Sequence, residues 1–287
     1  MTKLTACALT MVRDDYEFLK IWVNYYAREL GGRDRLYVVV HGDDPEIIDI
    51  AQGCSIIQIP FLPDQSSFES LRRKMLRGFI AGLLCHYENV LVVDVDEILI
   101  ANPASGKSLE LLLAEIDAGE GYQHALGFDL VQWKGKENLP VDVDRPILSQ
   151  RRFGRVNSHY CKPCVVRRDL RMTAHRVIGG QFALNLDLIL VHLKAFDETV
   201  FQRVQRRRQQ AAQAYPNEPH LHYWKDDDVS KDYFEGSYQK DESPMPLEPY
   251  EFEWLGPRIE RGIGRQKRVV SILSGPLELR EDMLNIF

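Results

Sequence analysis

The 287-residue sequence has no apolar run approaching the roughly 20 residues that span a bilayer, so no membrane-crossing helix is expected. It also lacks an excess of positive charge. Lys and Arg number 36 against 42 Asp and Glu, a net charge of -6, which argues against a general nucleic-acid binder. The opening "MTKLTACALTMV" has no separate charged region, long apolar region or cleavage site, and reads as a first strand rather than a signal peptide. Cysteine is sparse and odd in number: Cys7, Cys54, Cys85, Cys161 and Cys164. That scatter predicts reduced thiols and a cytoplasmic location. "CKPC" is the one close pair, with His159 nearby but no second pair, which is too little for a zinc or redox centre. Internal repeats are absent, and so is a glycine in "MVRDDYE", where a phosphate-cradling loop would need one. What is present is ordinary for a globular chain, at 45% hydrophobic and 27% charged.

Leu4 to Val12 is a β-rich apolar run. After it, Asp14 and Glu17 have the spacing of a capping box. Leu19, Trp22, Val23, Tyr26 and Leu30 then recur at helical spacing until Gly31-Gly32. "RLYVVVHG" is a second buried strand, and Asp44-Pro45 opens a short helix. "CSIIQIPF" is a third strand. Ser67 to Tyr87 predicts a long helix with one apolar face, and "VLVVDVDEILI", Val90 to Ile100, predicts a fourth strand. The order β-α-β-α-β-α-β with continuous apolar strands predicts an α/β fold, a mainly parallel sheet with helices on both faces. Beyond Ile100 the pattern becomes mixed. Leu109 to Ile116 is helical, "HALGFDLVQW", "KPCVVRR" and "LDLILVHL" are strands, and Glu198 to Tyr215 is a basic helix.

The fourth predicted strand holds three acids, Asp94, Asp96 and Glu97, in an otherwise core-like run. Desolvating carboxylates is costly unless they are paired or bound to a metal. Period-two alternation puts Asp94 and Asp96 on one side, where they repel unless a cation lies between them. Oxygen ligands suit Mg²⁺ or Mn²⁺, and such an ion commonly holds a diphosphate. The bland alternative is a pair that caps a turn or is salt-bridged to Arg72 or Arg73. Arg72 borders the apolar stripe of its helix and is placed to reach a diphosphate. Arg73 and Arg77, with Glu69, read as an exposed ion-pair ladder.

Four segments together resemble glycosyltransferases of the GT-A fold, and among them the DUF23-like enzymes (glycosyltransferase family 92) and bacterial family-2-like relatives. They are "TMVRDDYEFLKIWVNYYARELG", "VLVVDVDEILI", "KPCVVRRDLRMTAH" and "LVHLKAF". The resemblance covers about residues 4 to 210. It departs at Arg13-Asp14, where the family usually shows Asn-Glu. It implies a catalytic domain over 1–215, with a nucleotide-binding half at 1–100 and an acceptor half at 101–215. Residues 216–287 would be an irregular C-terminal extension packing on that domain. The implied activity is transfer of a hexose from a nucleotide sugar, UDP-linked, to a glycan or lipid-linked acceptor. Asp94, Asp96 and His192 would hold Mn²⁺ or Mg²⁺. Asp14, Asp43, Arg72, Asp94 and Lys162 would contact the donor. Glu97 would orient the metal shell or touch the sugar, and His175 would act as an acceptor-side base or phosphate contact.

Each of these residues has a plainer reading too. His192 fits a satisfied core histidine, His175 a surface turn, and Asp14 and Asp44 helix caps. Arg203, Arg206 and Arg207 share one helix face from which Arg208 diverges. That face reads as a solvated surface, as a peripheral contact to an anionic membrane or lipid diphosphate on the acceptor side, or as a neutraliser of the leaving nucleotide. Two other classes stay open: an Mg²⁺-dependent nucleotidyl or phosphoryl transferase, and a non-catalytic nucleotide-sugar-binding module.

Overall fold

The computed structural model describes residues 2–61, 68–117, 119–173, 176–178, 180, 182, 184–214, 243–247, 259–261, 267–269 and 276–287. The first half alternates strand and helix. β1 (Leu4–Val12), α1 (Tyr16–Glu29), β2 (Leu36–His41), α2 (Pro45–Ile50), β3 (Ser55–Ile59), α3 (Phe68–Leu83) and β4 (Tyr87–Val92) follow in chain order. β1 pairs in parallel with β2 on one side and β4 on the other, and β2 pairs in parallel with β3. The spatial order is therefore 3-2-1-4, with the direction of winding reversing between β1 and β4. Side-chain alternation divides β1 between two cores. Ala6 and Ala8 pack with α1, against Trp22, Val23 and Tyr26. Cys7 and Leu9 pack with α3, against Ile80 and Leu84. Helices thus cover both faces of the parallel strands. The chain leaves α1 through Gly31 at φ 79°, a left-handed conformation that costs glycine nothing.

The predicted fourth strand is two strands. β4 stops at Val92, and β5 (Glu97–Ala101) starts after a turn. The turn is closed at both ends: the Glu97 amide donates to the Asp94 carbonyl at 3.0 Å, and the Asp94 amide donates to Glu97 Oε2 at 2.8 Å. A carboxylate that ties up its own loop breaks the ladder, so the alternation expected of Asp94 and Asp96 does not hold.

β5 pairs with β11 (Leu184–Ala195), antiparallel, and β11 lies parallel to β6 (Tyr122–Val131). β6 is also flanked by β7 (Phe153–Val156) and β8 (Pro163–Val166), both antiparallel to it, and β8 joins this half to β4. Among the described residues the result is one mixed sheet of eleven strands. Around it lie α4 (Leu109–Glu115), α5 (Ile147–Gln150) and α6 (Glu198–Ala214). Two short hairpins, β9 (Met172–Thr173) with β10 (Arg176–Val177) and β13 (Ile259–Arg261) with β14 (Lys267–Val269), stand apart. Near the C-terminus, β12 (Met245–Pro246) pairs with β15 (Leu277–Glu278), and β15 extends the sheet along β7.

α1 also starts differently from its predicted capping box. Asp14 adopts φ 58°, a left-handed conformation rare outside glycine, and Asp15 takes the N-cap position without a side-chain cap bond. Glu17 binds arginines of α6 instead of closing the box. Asp44 does cap α2, accepting from the amides of Glu46 and Ile47. No helix among the described residues is long and apolar enough to cross a membrane.

Candidate active site at the end of β4

In an open α/β sheet, ligands bind beyond the carboxyl ends of the strands where the winding reverses. Here that point lies beyond β1 and β4, between Arg13-Asp14-Asp15 and the turn Val93–Asp96. The two acids of the turn face different partners. Asp94, the open one at 46% side-chain exposure, accepts from Arg72 Nη1 at 3.3 Å and Lys162 Nζ at 3.2 Å. Lys162, then Arg72, hold its carboxyl down to about 2 against the opposing effect of burial. Lys162 is buried and also meets Glu97 Oε1 at 2.6 Å. Burial works against the ammonium, but Asp94 and Glu97 outweigh it and raise its pKa. Glu97 is pushed the other way, upward, by burial. Both its oxygens accept hydrogen bonds, one from Lys162 and one from the Asp94 amide, as an ionised carboxylate does, so geometry favours the ion pair. At 1% exposure Glu97 lies beneath the site. That burial favours the expectation that Glu97 orients its neighbours over the alternative that it touches a sugar.

Asp96 turns toward the second half of the chain. Its Oδ2 lies 3.6 Å from His192 Nε2 and 3.4 Å from Arg208 Nη2. Burial opposes its charge, yet His192, Arg208 and Lys162 together hold its pKa below the usual carboxylate range. His192 is buried and held on several sides. Its Nδ1 bonds Asp129 Oδ1 at 2.9 Å, and its ring stacks on Tyr160 with centroids 3.8 Å apart. Asp129 is in turn fixed by Asn157 Nδ2 at 2.7 Å. Burial disfavours the imidazolium, but Asp129 and Asp96 outweigh it and raise His192 to about 9. The sheet register makes this meeting possible, since His192 stands opposite Glu97 on one side and Asp129 on the other.

The sequence reading overlooked Asp129, Asp15 and Tyr160. An acid inside "HALGFDLVQW" carries the same signal as the acids of the β4–β5 turn, so Asp129 was findable. Asp15 is the N-cap of α1 and Tyr160 ends a single 3-10 turn, places too short for periodicity to report. Arg208 was noticed only as the arginine that diverges from its neighbours. Its Nη2 contacts Asp96 and, at 3.6 Å, Asp15, whose pKa burial raises to about 6. Arg203 and Arg207 bond Glu17 at 2.9 and 2.7 Å, so two of the three arginines assigned to a membrane-facing surface are committed to α1.

The remaining candidates lie around this centre. Asp43 is exposed after β2 and accepts from Gln58 Nε2 at 3.2 Å. Asp14 pairs with Arg13 at 3.3 Å, and the Arg13 guanidinium lies 3.6 Å over the Phe61 ring. Arg72 faces Glu69 as well as Asp94, while Arg77 leaves the expected ladder for Asp169. A cavity of about 80 Å³ beside Asp94 is lined by Arg72, Arg73, Arg77 and Lys162 over an apolar floor that includes Leu76 and Met172. His175 lies outside the described residues. Cys161 and Cys164 are buried free thiols whose pKa burial raises, in keeping with a structural "CKPC".

Among the described residues, no group of three or more His, Cys, Asp and Glu side chains is placed to hold a metal ion. The expected trio is divided: Asp96 meets His192, while Asp94 is turned to Arg72 and Lys162. Asp96 Oδ2 and, once its proton is lost, His192 Nε2 are the two atom types here that Mn²⁺ accepts. They face each other at a separation too long for a hydrogen bond, and Asp129 fixes the imidazole from behind as in many metal sites. Mg²⁺ and similar ions are commonly held by one or two protein groups, with phosphates and water supplying the rest.

No family model matches the chain, and no curated protein matches it. Among solved structures it is similar to the mannosyltransferase PcManGT from Pyrobaculum calidifontis in complex with GDP-Man and Mn²⁺. The identity is 11% and the TM-score 0.36, over 83% of this chain and 71% of that one.

Proposed function

We propose that the chain is a glycosyltransferase that binds a nucleotide sugar beyond β1 and β4 and transfers its hexose to a glycan or lipid-linked acceptor. The observation that carries this reading is the β4–β5 turn. It sets one carboxylate, Asp96, against a histidine, and the other, Asp94, between two cations, all at the switch point of a parallel sheet. Such a place gathers the charges that a diphosphate and its ion require. Asp96 and His192 would hold Mn²⁺ or Mg²⁺, and that ion, when bound, supplies neutralisation of the charge that develops on the departing nucleoside diphosphate.

The protein's own residues divide the remaining work. Lys162 and Arg72 hold Asp94 in place and give the donor side a cationic wall. Glu97 fixes the turn and the Lys162 ammonium from below. Asp43, exposed at the end of β2, and the Arg13–Phe61 stack would meet the nucleoside end, with uracil the base to test first.

The test is a panel of UDP- and GDP-sugars incubated with Mn²⁺ or with a chelator, read by thermal shift and by product analysis. We expect metal-dependent stabilisation by one nucleotide sugar and slow release of nucleoside diphosphate plus free sugar. Asp96→Asn should fold and lose both. Release of pyrophosphate would identify a nucleotidyl transferase instead. Metal-dependent binding without turnover, with every acceptor class supplied, would identify a binding module.

A further inference from the structure

α3 turns Arg73, Leu76, Arg77 and Ile80, neighbours on one helix face, toward the cavity beside Asp94. Its other walls come from the end of β4, the start of β8 and the β9–β10 hairpin, and neither Asp96 nor His192 lines it. Four cations and one carboxylate, Asp94, are among the described residues that do. Two of the cations are committed. Arg72 bonds Glu69 and Asp94, and Arg77 bonds both oxygens of Asp169, at 2.9 and 3.0 Å. The other two are not. Among the described residues Arg73 meets only Glu69, at 3.9 Å, too long for a hydrogen bond, and Arg72 already holds that carboxylate. Lys162, 7% exposed, meets Asp94 and Glu97, which leaves a third N–H of its ammonium for a ligand.

We propose that this cavity binds a lipid phosphate, with the phosphate on Arg73 and Lys162 and the first carbons of the chain on the apolar floor. The floor argues against an inorganic anion or a sugar as the whole occupant, since Leu76, Ile80 and Met172 offer a hydroxyl no partner. At about 80 Å³ the cavity is smaller than the roughly 150 Å³ apolar cavity that takes benzene, so it would admit the head of a chain rather than a ring. The two uncommitted cations stand on different elements, one on α3 and one just before β8. A phosphate ester carries nearly two charges and has three acceptor oxygens with which to meet both. A planar carboxylate is satisfied by a single guanidinium. The binding site does not depend on the proposed function. Its role does: as the place of a lipid-linked acceptor, beside Asp94, it rests on the glycosyltransferase reading.

Calorimetry on the full chain, without metal or nucleotide, would titrate decyl phosphate below its micellar concentration. Inorganic phosphate, decanoate and decyl maltoside are the comparators. We expect decyl phosphate to bind about 10- to 100-fold tighter than inorganic phosphate, from burial of a few methylenes. It should also bind tighter than the carboxylate and the neutral amphiphile. Arg73→Gln should weaken it about 10-fold, the loss of one charge-assisted contact, and the gap from wild type should narrow as NaCl rises. Leu76→Phe should fill the floor and block the chain. If that variant does not fold, Arg73→Gln, at a side chain 38% exposed, still decides the matter. Inorganic phosphate, decanoate or decyl maltoside bound as tightly as decyl phosphate would overturn the proposal, as would unchanged affinity in Arg73→Gln. Decyl phosphate bound by a protein that takes no nucleotide sugar would keep the site and overturn its role as an acceptor place. A nucleotide sugar bound without decyl phosphate would overturn this inference alone.

Discussion

At the scale of single residues, His192 is oriented by what lies behind it. Asp129 accepts from one ring nitrogen and Tyr160 covers a face, so the other nitrogen can point only at Asp96. We expect His192→Ala to weaken Mn²⁺ binding about 10- to 100-fold, and Asp129→Asn to fall within the same range while leaving the imidazole in place. Mn²⁺ titration followed by electron paramagnetic resonance would read both; a lower melting point with full metal affinity would reassign them to the core. His41, at the end of β2, gives a separate pH signature. Burial, then Arg13, lowers its pKa from 6.5 to about 4. Between those values the unfolded chain binds more protons than the folded one, so stability rises with pH across that window and is lost as pH falls through it. The loss should be about 1–3 kcal/mol, and His41→Asn should flatten it. Urea unfolding of both proteins at pH 4.5 and 7 would show whether the slope belongs to His41. Neither environment could be read from the sequence. An imidazole's fate depends on partners from other strands, and only the acid in "FDLV" hinted at one of them.

At the scale of elements, periodicity carried most of the reading. β1 and α4 stand almost residue for residue where their apolar runs put them, β1 because both of its faces are buried. It failed where a side chain competes with the ladder. Glu97 turns "VLVVDVDEILI" into strand, turn and strand by bonding the Asp94 amide, and no hydrophobic pattern reports such a bond. The start of α1 slipped for the same reason, because Asp15 and Glu17 are recruited by α6. α6 shows a third case, an N-terminus built into a buried ion pair. Asp197 accepts from the Val200 amide at 3.0 Å, from the Val141 amide at 3.0 Å and from Arg151 Nη2 at 2.8 Å. Arg151 also donates to the Phe196 and Leu139 carbonyls, so one pair joins α6, the end of β11 and the 139–141 loop. Removing one partner leaves a buried charge uncompensated. Asp197→Ala should therefore cost about 3–5 kcal/mol, measured by denaturant unfolding. Arg151→Met combined with Asp197→Leu should recover part of that loss. A double mutant as unstable as the sum of its single changes would mean that the pair does not act as a unit.

At the scale of the whole molecule, the parallel half was legible because βαβ connections leave few arrangements open. The second half was legible only as separate strands. Nothing in "HALGFDLVQW" says that β6 will be flanked by β7, β8 and β11, and those pairings are what carry Asp129 and His192 to the β4–β5 turn. Residues 276–287 belong to the stretch expected as an irregular extension packing on the domain, and they carry a two-residue strand that pairs with β7 and several buried apolar side chains. Phe287 is 7% exposed, meets Tyr25 edge-on at 5.5 Å between centroids, and its carbonyl accepts from the Leu148 amide at 3.1 Å. It thereby joins α1 of the first half to α5 of the second. If the sheet and this closing segment form one cooperative unit, Phe287→Ala should lower global stability by about 3–5 kcal/mol, the usual cost of emptying a buried aromatic site. At about 2–4 °C per kcal/mol the melting temperature should drop by about 6–20 °C in a single transition. Calorimetry supplies both readings. A small early transition with the main one unmoved would show that residues 276–287 open independently of the sheet, and that the site at the end of β4 is held together without them.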